Sequence, residues 1–345
     1  MPVPRKLEAV LWHYDTGTCR TAQKIERGYV NETWLVETTT GCYVLKRRHP
    51  VLRQAGLVAA QHALIEYLHS AGFPAPRTLR ARSGRTFLEL GEDVYELQDY
   101  IPGKLCDRAR PAHIAAAART LGLYHRLVSG FDHPALHRSP ERFCPAMLEG
   151  ILGHLSQDSA HRPTAQTERV LHRLASHARQ LATHLGQLDR LPQLVIHGDY
   201  YAENIIFSGD RVVGVVDYDQ ARWSARVQEV AEAVIYFAQE RTARFGHIVY
   251  SGVLELDTAR RFLAAYADIV SLSDTEIRAL PHAVRVTWLC ASLDPPLHPR
   301  LRLHSDLEAL HEVLALADWG RTRASDIAHI GFEVFRTDRE VKLQR

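Results

Sequence analysis

Two short apolar runs, Leu194 to Ile196 and Arg211 to Val216, flank a polar loop and constrain this 345-residue chain more than any other segment. The stretch reads Val195-Ile196-His197-Gly198-Asp199-Tyr200-Tyr201-Ala202-Glu203-Asn204-Ile205-Ile206-Phe207, followed by Val212-Val213-Gly214-Val215-Val216-Asp217-Tyr218-Asp219. A strand–loop–strand unit has a plain structural account, with Asp199 and Asn204 forming turns and Asp217 terminating a strand. Taken singly, each residue fits that account. Taken together, their order and spacing do not, because Asp217 falls 18 positions after Asp199 at the end of an apolar strand. Residues 195 to 220 hold five acids against Arg211, a local net charge of −4 that suits a metal site.

The whole chain has 42 Lys and Arg against 40 Asp and Glu, and this near balance argues against a general nucleic-acid binder. Hydrophobic residues make up 46% and charged residues 24%, which excludes disorder as the main state. The five cysteines are odd in number and form no CxxC pair, so a reducing, cytoplasmic compartment is the simpler expectation. The N-terminus shows no apolar signal segment, and no apolar run approaches the ~20 residues of a membrane helix. The 20 histidines are scattered, without HExxH or HxH spacing.

The order of elements predicts an α+β, two-lobed architecture. Residues 21 to 48 read as paired strands punctuated by Gly28 and Gly41, followed by a helix over Leu57 to Ser70 that ends at Gly72 and Pro74. Strand signal returns at Arg85 to Leu90 and Val94 to Tyr100, and Ile101-Pro102-Gly103 breaks it. Beyond the break the pattern turns helical: Ala112 to Ser129, His161 to Leu188, Gln228 to Gln239, Thr258 to Ile269, Asp274 to Leu289 and Ser305 to Trp319, with Asp294-Pro295-Pro296 separating two helices. The expected division is a β-rich lobe over 1–99 and a helical lobe over 100–345, with a ligand in the cleft between them.

With His-Gly-Asp, four residues, Asn, then an apolar strand ending in Asp, the chain resembles the aminoglycoside phosphotransferase superfamily, which has a protein-kinase-like fold and includes type II homoserine kinases and choline kinase. The resemblance covers most of residues 25 to 240. It implies an ATP- and Mg2+-dependent transfer of phosphate to a hydroxyl of a small molecule. Phosphoryl transfer is mainly positioning and electrostatic stabilisation. By resemblance Asp199 is the base that orients and deprotonates the acceptor hydroxyl. Asn204 and Asp217 would supply oxygen ligands to Mg2+. His197 is read as structural, Asp219 as a helix N-cap or a second acid near the metal, and Glu229 as a brace for the catalytic loop.

The N-terminal region extends the resemblance. Arg27 to Thr33, with Gly28 and Asn31, is similar to a shortened phosphate-covering loop. Lys46 resembles the strand lysine that contacts the nucleotide phosphates. Glu96 to Gly103 resembles the hinge, so the adenine would bond main-chain groups of Asp99 and Ile101. One departure stands out. The family lysine usually pairs with a Glu on the following helix, where this chain places Gln61, which points inward, while Glu66 points to water. Lys46 would then have only a neutral partner, and charge-assisted hydrogen bonds are about twice as strong as neutral ones. This keeps a second expectation open: a catalytically weak pseudokinase or nucleotide-binding regulatory module. The acceptor, described only as an amino alcohol, sugar or aminoglycoside-type antibiotic, is not legible. Trp223, Tyr236 and Trp288 either line its site or belong to the core. The Gly-Phe-Pro-Ala-Pro segment leans toward homoserine-kinase-like members.

Overall fold

The computed structural model describes residues 4–26, 30–157, 164–186, 188–239, 254–293 and 307–343. Gly28 and Asp294 to Pro296 lie outside the described residues.

Helix α1 (Arg5–Leu11) precedes strands β1 (Cys19–Lys24), β2 (Glu32–Thr38) and β3 (Cys42–Arg47), then α2 (Ala55–Ser70), β4 (Leu88–Leu90) and β5 (Asp93–Asp99). The five strands form one sheet in the order β1-β2-β3-β5-β4, with every neighbouring pair antiparallel. Alternation along β3 and β5 sorts their side chains onto two faces. Tyr43, Leu45, Tyr95 and Leu97 pack under α1 with Leu7, Val10, Leu11 and Tyr14. Lys46 and Glu96 fall on the opposite face, toward α2. The N-terminal helix carries no strong sequence signal, because it is short and buries only Leu7, Val10 and Leu11.

Helix α2 serves both halves of the molecule. Val58 packs with Phe87 and Val94 of the sheet region. Leu64, Ile65 and Leu68 instead enter the large core formed with the helices that follow.

The chain leaves the sheet at Asp99 and passes through β6 (Lys104–Leu105) into α3 (Pro111–Val128), α4 (Pro145–Gln157) and α5 (Ala165–Leu185). Pro111 occupies the first turn of α3, where its missing N–H costs nothing. Thr164 caps α5 by accepting the Thr167 N–H. Then come β7 (Gln193–Ile196), β8 (Ile205–Ser208), β9 (Arg211–Val215), β10 (Arg222–Ala225), α6 (Arg226–Ala238), α7 (Leu256–Ala267), α8 (Asp274–Leu293) and α9 (Leu307–Leu343). The result is the anticipated kinase-like arrangement, a small sheet lobe followed by a mostly helical one. Helix α4 carries Met147, Leu148, Ile151, Leu152 and Leu155 at helical spacing, a pattern the sequence reading missed. No described helix is long and apolar enough to cross a membrane.

Gly103 shows why the turn after β5 needs its glycine. A Cβ there would stand 2.5 Å from Ile206 Cγ2 and 2.6 Å from the Phe207 carbonyl, so the turn into β6 packs directly on β8.

Candidate active site

The loop between β7 and β8 is held from behind. Helix α3 supports it through Tyr124 Oη, which donates to the Val195 carbonyl at 2.9 Å, and Tyr200 Oη, which donates to the Ala117 carbonyl at 2.8 Å. Glu229 on α6 accepts the Gly198 N–H at 2.7 Å with one oxygen and meets His125 Nε2 at 2.7 Å with the other. This is the brace expected of Glu229. His197 is fully buried, and its Nε2 bonds the Val216 carbonyl at 3.2 Å while Nδ1 accepts the Asp199 N–H at 3.3 Å. Burial lowers its pKa, so it stays a neutral spacer between the loop and β9.

Gly198 adopts a φ of +76°, and a Cβ would lie 2.3 Å from the Gln220 carbonyl oxygen and 2.4 Å from Arg222 Nη1. Only glycine satisfies both the left-handed backbone and that contact.

Asp199 therefore projects from a rigid turn. Asn204 Nδ2 donates to its carboxylate at 3.1 Å and to its carbonyl at 2.9 Å. Burial and then the nearby charge of Asp217 push the Asp199 carboxyl up to about 7, with Arg142 and Asn204 opposing. The Val216 N–H donates to the Asn204 carbonyl at 2.9 Å, which brings Asn204 and Asp217 to the same end of the β8–β9 pair. Asp217 has a φ of +69°, a strained conformation for a non-glycine residue. Strain of this kind collects where the fold must aim a side chain, and here it turns a half-exposed carboxylate toward Lys46.

Lys46 Nζ lies 3.1 Å from Asp217 Oδ1, 3.2 Å from Asp219 Oδ1 and 3.4 Å from Glu96 Oε1. Burial alone would lower its pKa, but Asp217, Asp219 and Glu96 outweigh that and raise it. Lys46, Asp199, Asn204 and Asp217, taken from positions up to 171 residues apart, thus converge on one locus. The acidic patch read from residues 195 to 220 meets its counter-charge from the sheet.

Asp219 is not a helix cap, since α6 starts at Arg226 with Ala225 at its N-cap. It is buried among Lys46, Arg48 at 3.0 Å and Asn31 Nδ2 at 2.5 Å. Asn31 also accepts the His49 N–H at 2.9 Å through Oδ1, tying the start of β2 to the site.

Gln61 does point inward, but it does not meet Lys46. Its Oε1 accepts from Arg48 Nη1 at 2.7 Å and its Nε2 donates to the Asp219 carbonyl at 2.8 Å. Glu66 is half-exposed and pairs with Arg80 at 2.6 Å. Besides Asp217 and Asp219, the sheet supplies the lysine with a third carboxylate, Glu96 on β5, a role that sequence reading missed. The available signal was an acid within the apolar run Val94-Tyr95-Glu96-Leu97. Arg48 was missed too, although it stands two positions beyond Lys46, just past the end of β3, where the alternation of the strand carries it toward the same side.

At the hinge, the Asp99 N–H donates to the Arg77 carbonyl at 3.0 Å and the Tyr100 N–H to the Cys42 carbonyl at 3.2 Å. No main-chain bond of the described residues uses the Ile101 N–H. The Asp99 side chain faces outward onto Arg77 at 2.9 Å.

On the other flank of Asp199, Arg142 Nη1 donates to Gln220 Oε1 at 2.7 Å. Tyr236 on α6 packs at 5.8 Å from Tyr201, and burial followed by the charges of Asp199 and Glu232 raises its pKa. Trp223 stacks on His137 at 4.3 Å. Trp288 is core, packed edge-on against Trp319 at 5.4 Å and far along the helical half.

An oxygen-rich pair of Asn204 and Asp217, one amide and one carboxylate, suits a hard cation that keeps water and phosphate oxygens as its other ligands. Among the described residues no group of three or more His, Cys, Asp or Glu side chains forms a self-sufficient metal cage.

The model of the phosphotransferase enzyme family (APH) matches residues 21–266. The homoserine kinase of Methylobacillus flagellatus is 25% identical over 323 residues, covering 88% of this chain and 93% of that protein. That of Xanthobacter autotrophicus is 27% identical over 292 residues, covering 82% of each. Among solved structures, the amicoumacin kinase hAmiN in complex with AMP-PNP, Ca2+ and Ami superposes with a TM-score of 0.67 at 14% identity, covering 94% of both chains. The microcompartment-associated aminopropanol kinase gives 0.64 at 15% identity, covering 95% of this chain and 98% of that one. With the family match spanning well over half the residues and the fold in agreement, the chain belongs to the phosphotransferase enzyme family, the small-molecule hydroxyl kinases.

Proposed function

We propose that this protein transfers the γ-phosphoryl group of ATP to the hydroxyl of a small amine- or amino-acid-type acceptor. The observation that carries the reading is the convergence of Lys46 on Asp217, at 3.1 Å, beside an Asp199 carboxyl poised near neutral pH. Asp199 hydrogen-bonds the acceptor hydroxyl and takes its proton as the oxygen attacks the γ-phosphorus and ADP departs. A base with a pKa near 7 is well matched to this task. Lys46 steadies the nucleotide phosphates, with Gly28 and Asn31 on the covering segment. The Asp99 carbonyl and the Ile101 N–H hold the adenine edge. Asn204 and Asp217 are the residues that would hold Mg2+, which when bound neutralises phosphate charge.

Three features support a small acceptor. Relatives that cover most of this chain at 25–27% identity are named homoserine kinases. Tyr201 and Tyr236 pack together within electrostatic reach of Asp199, as a lining for a small acceptor would. Arg142 is fixed by Gln220 with a charge that reaches Asp199, which suits an acceptor bearing a carboxylate. The pseudokinase reading drew on the absence of a carboxylate partner for Lys46, and Glu96 removes that ground.

The test is a ³¹P-detected screen of hydroxylated amino acids, amino alcohols and aminoglycosides with ATP and Mg2+. Acceptor-dependent ADP formation abolished by Asp199→Asn is the expected result. Nucleotide binding without turnover across the panel would return the pseudokinase reading to first place.

A further inference from the structure

We propose that Glu96 is the positioning residue for Lys46: a carboxylate carried by the sheet fills the place of a helix-borne acid, so strand register, not the placement of α2, sets the lysine. The proposal rests on the kinase reading above, and four observations carry it.

Lys46 and Glu96 are direct cross-strand partners in the β3–β5 ladder. Side chains paired in this way are held on one face of the sheet by the ladder itself. Next, the Glu96 carboxylate divides its work. Oε2 accepts from Arg48 Nε at 2.6 Å and meets His62 Nε2 at 2.9 Å. Oε1 is buried without a hydrogen-bond partner among the described residues and faces the Lys46 ammonium at 3.4 Å. One oxygen is thus locked, and the other is left for the lysine.

Third, α2 offers the lysine no carboxylate. Gln61 is committed to Arg48 and the Asp219 carbonyl, and Glu66 to Arg80. Fourth, the other two acids on Lys46, Asp217 and Asp219, stand on the loop after β9, so a lysine tied to them alone would follow the catalytic half. Glu96 instead shares the sheet with Lys46. Arg48 spans the two groups, with Nε on Glu96 and Nη2 on Asp219. Lys46 is therefore anchored in the absence of any movement of α2, whose Leu64, Ile65 and Leu68 are already packed into the large core.

The experiment compares wild type, Glu96→Gln, Lys46→Met, the double variant and Glu66→Gln, with kcat and KM determined for ATP and for acceptor and folding checked by circular dichroism. Glu96→Gln is expected to lower kcat by roughly 10- to 100-fold with the acceptor KM unchanged, because displacing a positioned group by an ångström has effects of that size. The double variant is expected to be no slower than Lys46→Met, since two residues acting as a unit do not add their losses. Glu66→Gln is expected to keep wild-type kcat. A folded Glu96→Gln with wild-type kcat overturns the proposal, as do losses that multiply in the double variant. Should Glu96→Gln not fold, Glu96→Asp keeps a buried negative charge beside Arg48 and His62 but shortens its reach toward Lys46. Undiminished kcat there overturns the proposal equally. Wild-type protein without turnover would remove the kinase reading itself, an outcome distinct from an active enzyme indifferent to Glu96.

Discussion

Lys46 on β3 and Glu96 on β5 face each other across a sheet ladder, with the ammonium 3.4 Å from a carboxylate oxygen that accepts no hydrogen bond among the described residues. Burial opposes ionisation of Glu96, but Arg48, Lys46 and His62 together hold its pKa well below the usual carboxylate range. The charged pair is therefore present at every pH at which the enzyme would work, and the titration visible in activity should come from elsewhere.

That titration belongs to Asp199. With its carboxyl near 7, kcat/KM should fall about tenfold per pH unit below about 7, as the base becomes protonated. A pH–rate profile between pH 5 and 9 checks this, and a flat profile down to pH 5 would remove Asp199 from the base role. Asp199→Asn should cost roughly 10²–10⁴-fold in kcat, the range ascribed to general base catalysis.

The same shift has a stability consequence of opposite sign. A carboxyl whose folded-state pKa exceeds its unfolded value binds more protons in the folded state between about 4 and 7, so its contribution to stability declines as pH rises through that window. Asp199→Asn should accordingly stabilise the fold at pH 8 by up to about 4 kcal/mol, a benefit that disappears below about pH 4. Thermal melts of both proteins at pH 4 and pH 8 decide it. An Asn variant that melts lower at pH 8 would show that the carboxylate is not held under strain.

Gly198→Ala meets a backbone carbonyl at 2.3 Å in a left-handed conformation. The loss should reach about 2–4 kcal/mol, since both strain and overpacking act at once. Urea unfolding measures it, and a loss below about 1 kcal/mol would mean that the β7–β8 loop yields readily.

Glu229→Gln keeps the shape of the brace but weakens its bonds to the Gly198 N–H and His125. Replacing a charge-assisted pair with neutral bonds should cost about 1–3 kcal/mol in stability and lower kcat without changing the ATP KM. Equal losses in KM for ATP would place Glu229 in nucleotide binding instead.

Arg142→Gln probes the acceptor. For a carboxylate-bearing acceptor, loss of the guanidinium should raise the acceptor KM about 10- to 100-fold, the range of one charged hydrogen bond, with the ATP KM unaffected. An unchanged acceptor KM would place Arg142 outside the acceptor site.

Much of this molecule could be read along the chain. The His197-Gly198-Asp199 turn, Asn204 and Asp217 lie within 21 residues, and the loop and strands joining them are local structures whose spacing dictates where each side chain falls. The paired strands, α2, α3 and α6 followed from period-2 and period-3.6 patterning, which depends only on near neighbours. Helix α1 is too brief for its pattern to stand out, so packing decides it, whereas α4 carries its apolar residues at helical spacing and was legible in the chain. For Gln61, helical phase places the side chain inward, and α2 does lack a carboxylate there. Phase says which way a residue points, however, and not what awaits it. Glu96 lies 50 positions after Lys46, Arg142 precedes its partner Gln220 by 78, and Asn31 precedes Asp219 by 188. Pairings at such separations are settled by strand register and by the docking of the sheet on the helices, where burial forces every charge to find a counter-charge. Local patterning could identify the chemistry along the chain. It could not name the carboxylate that holds the lysine, because that choice is made across strands and not along one.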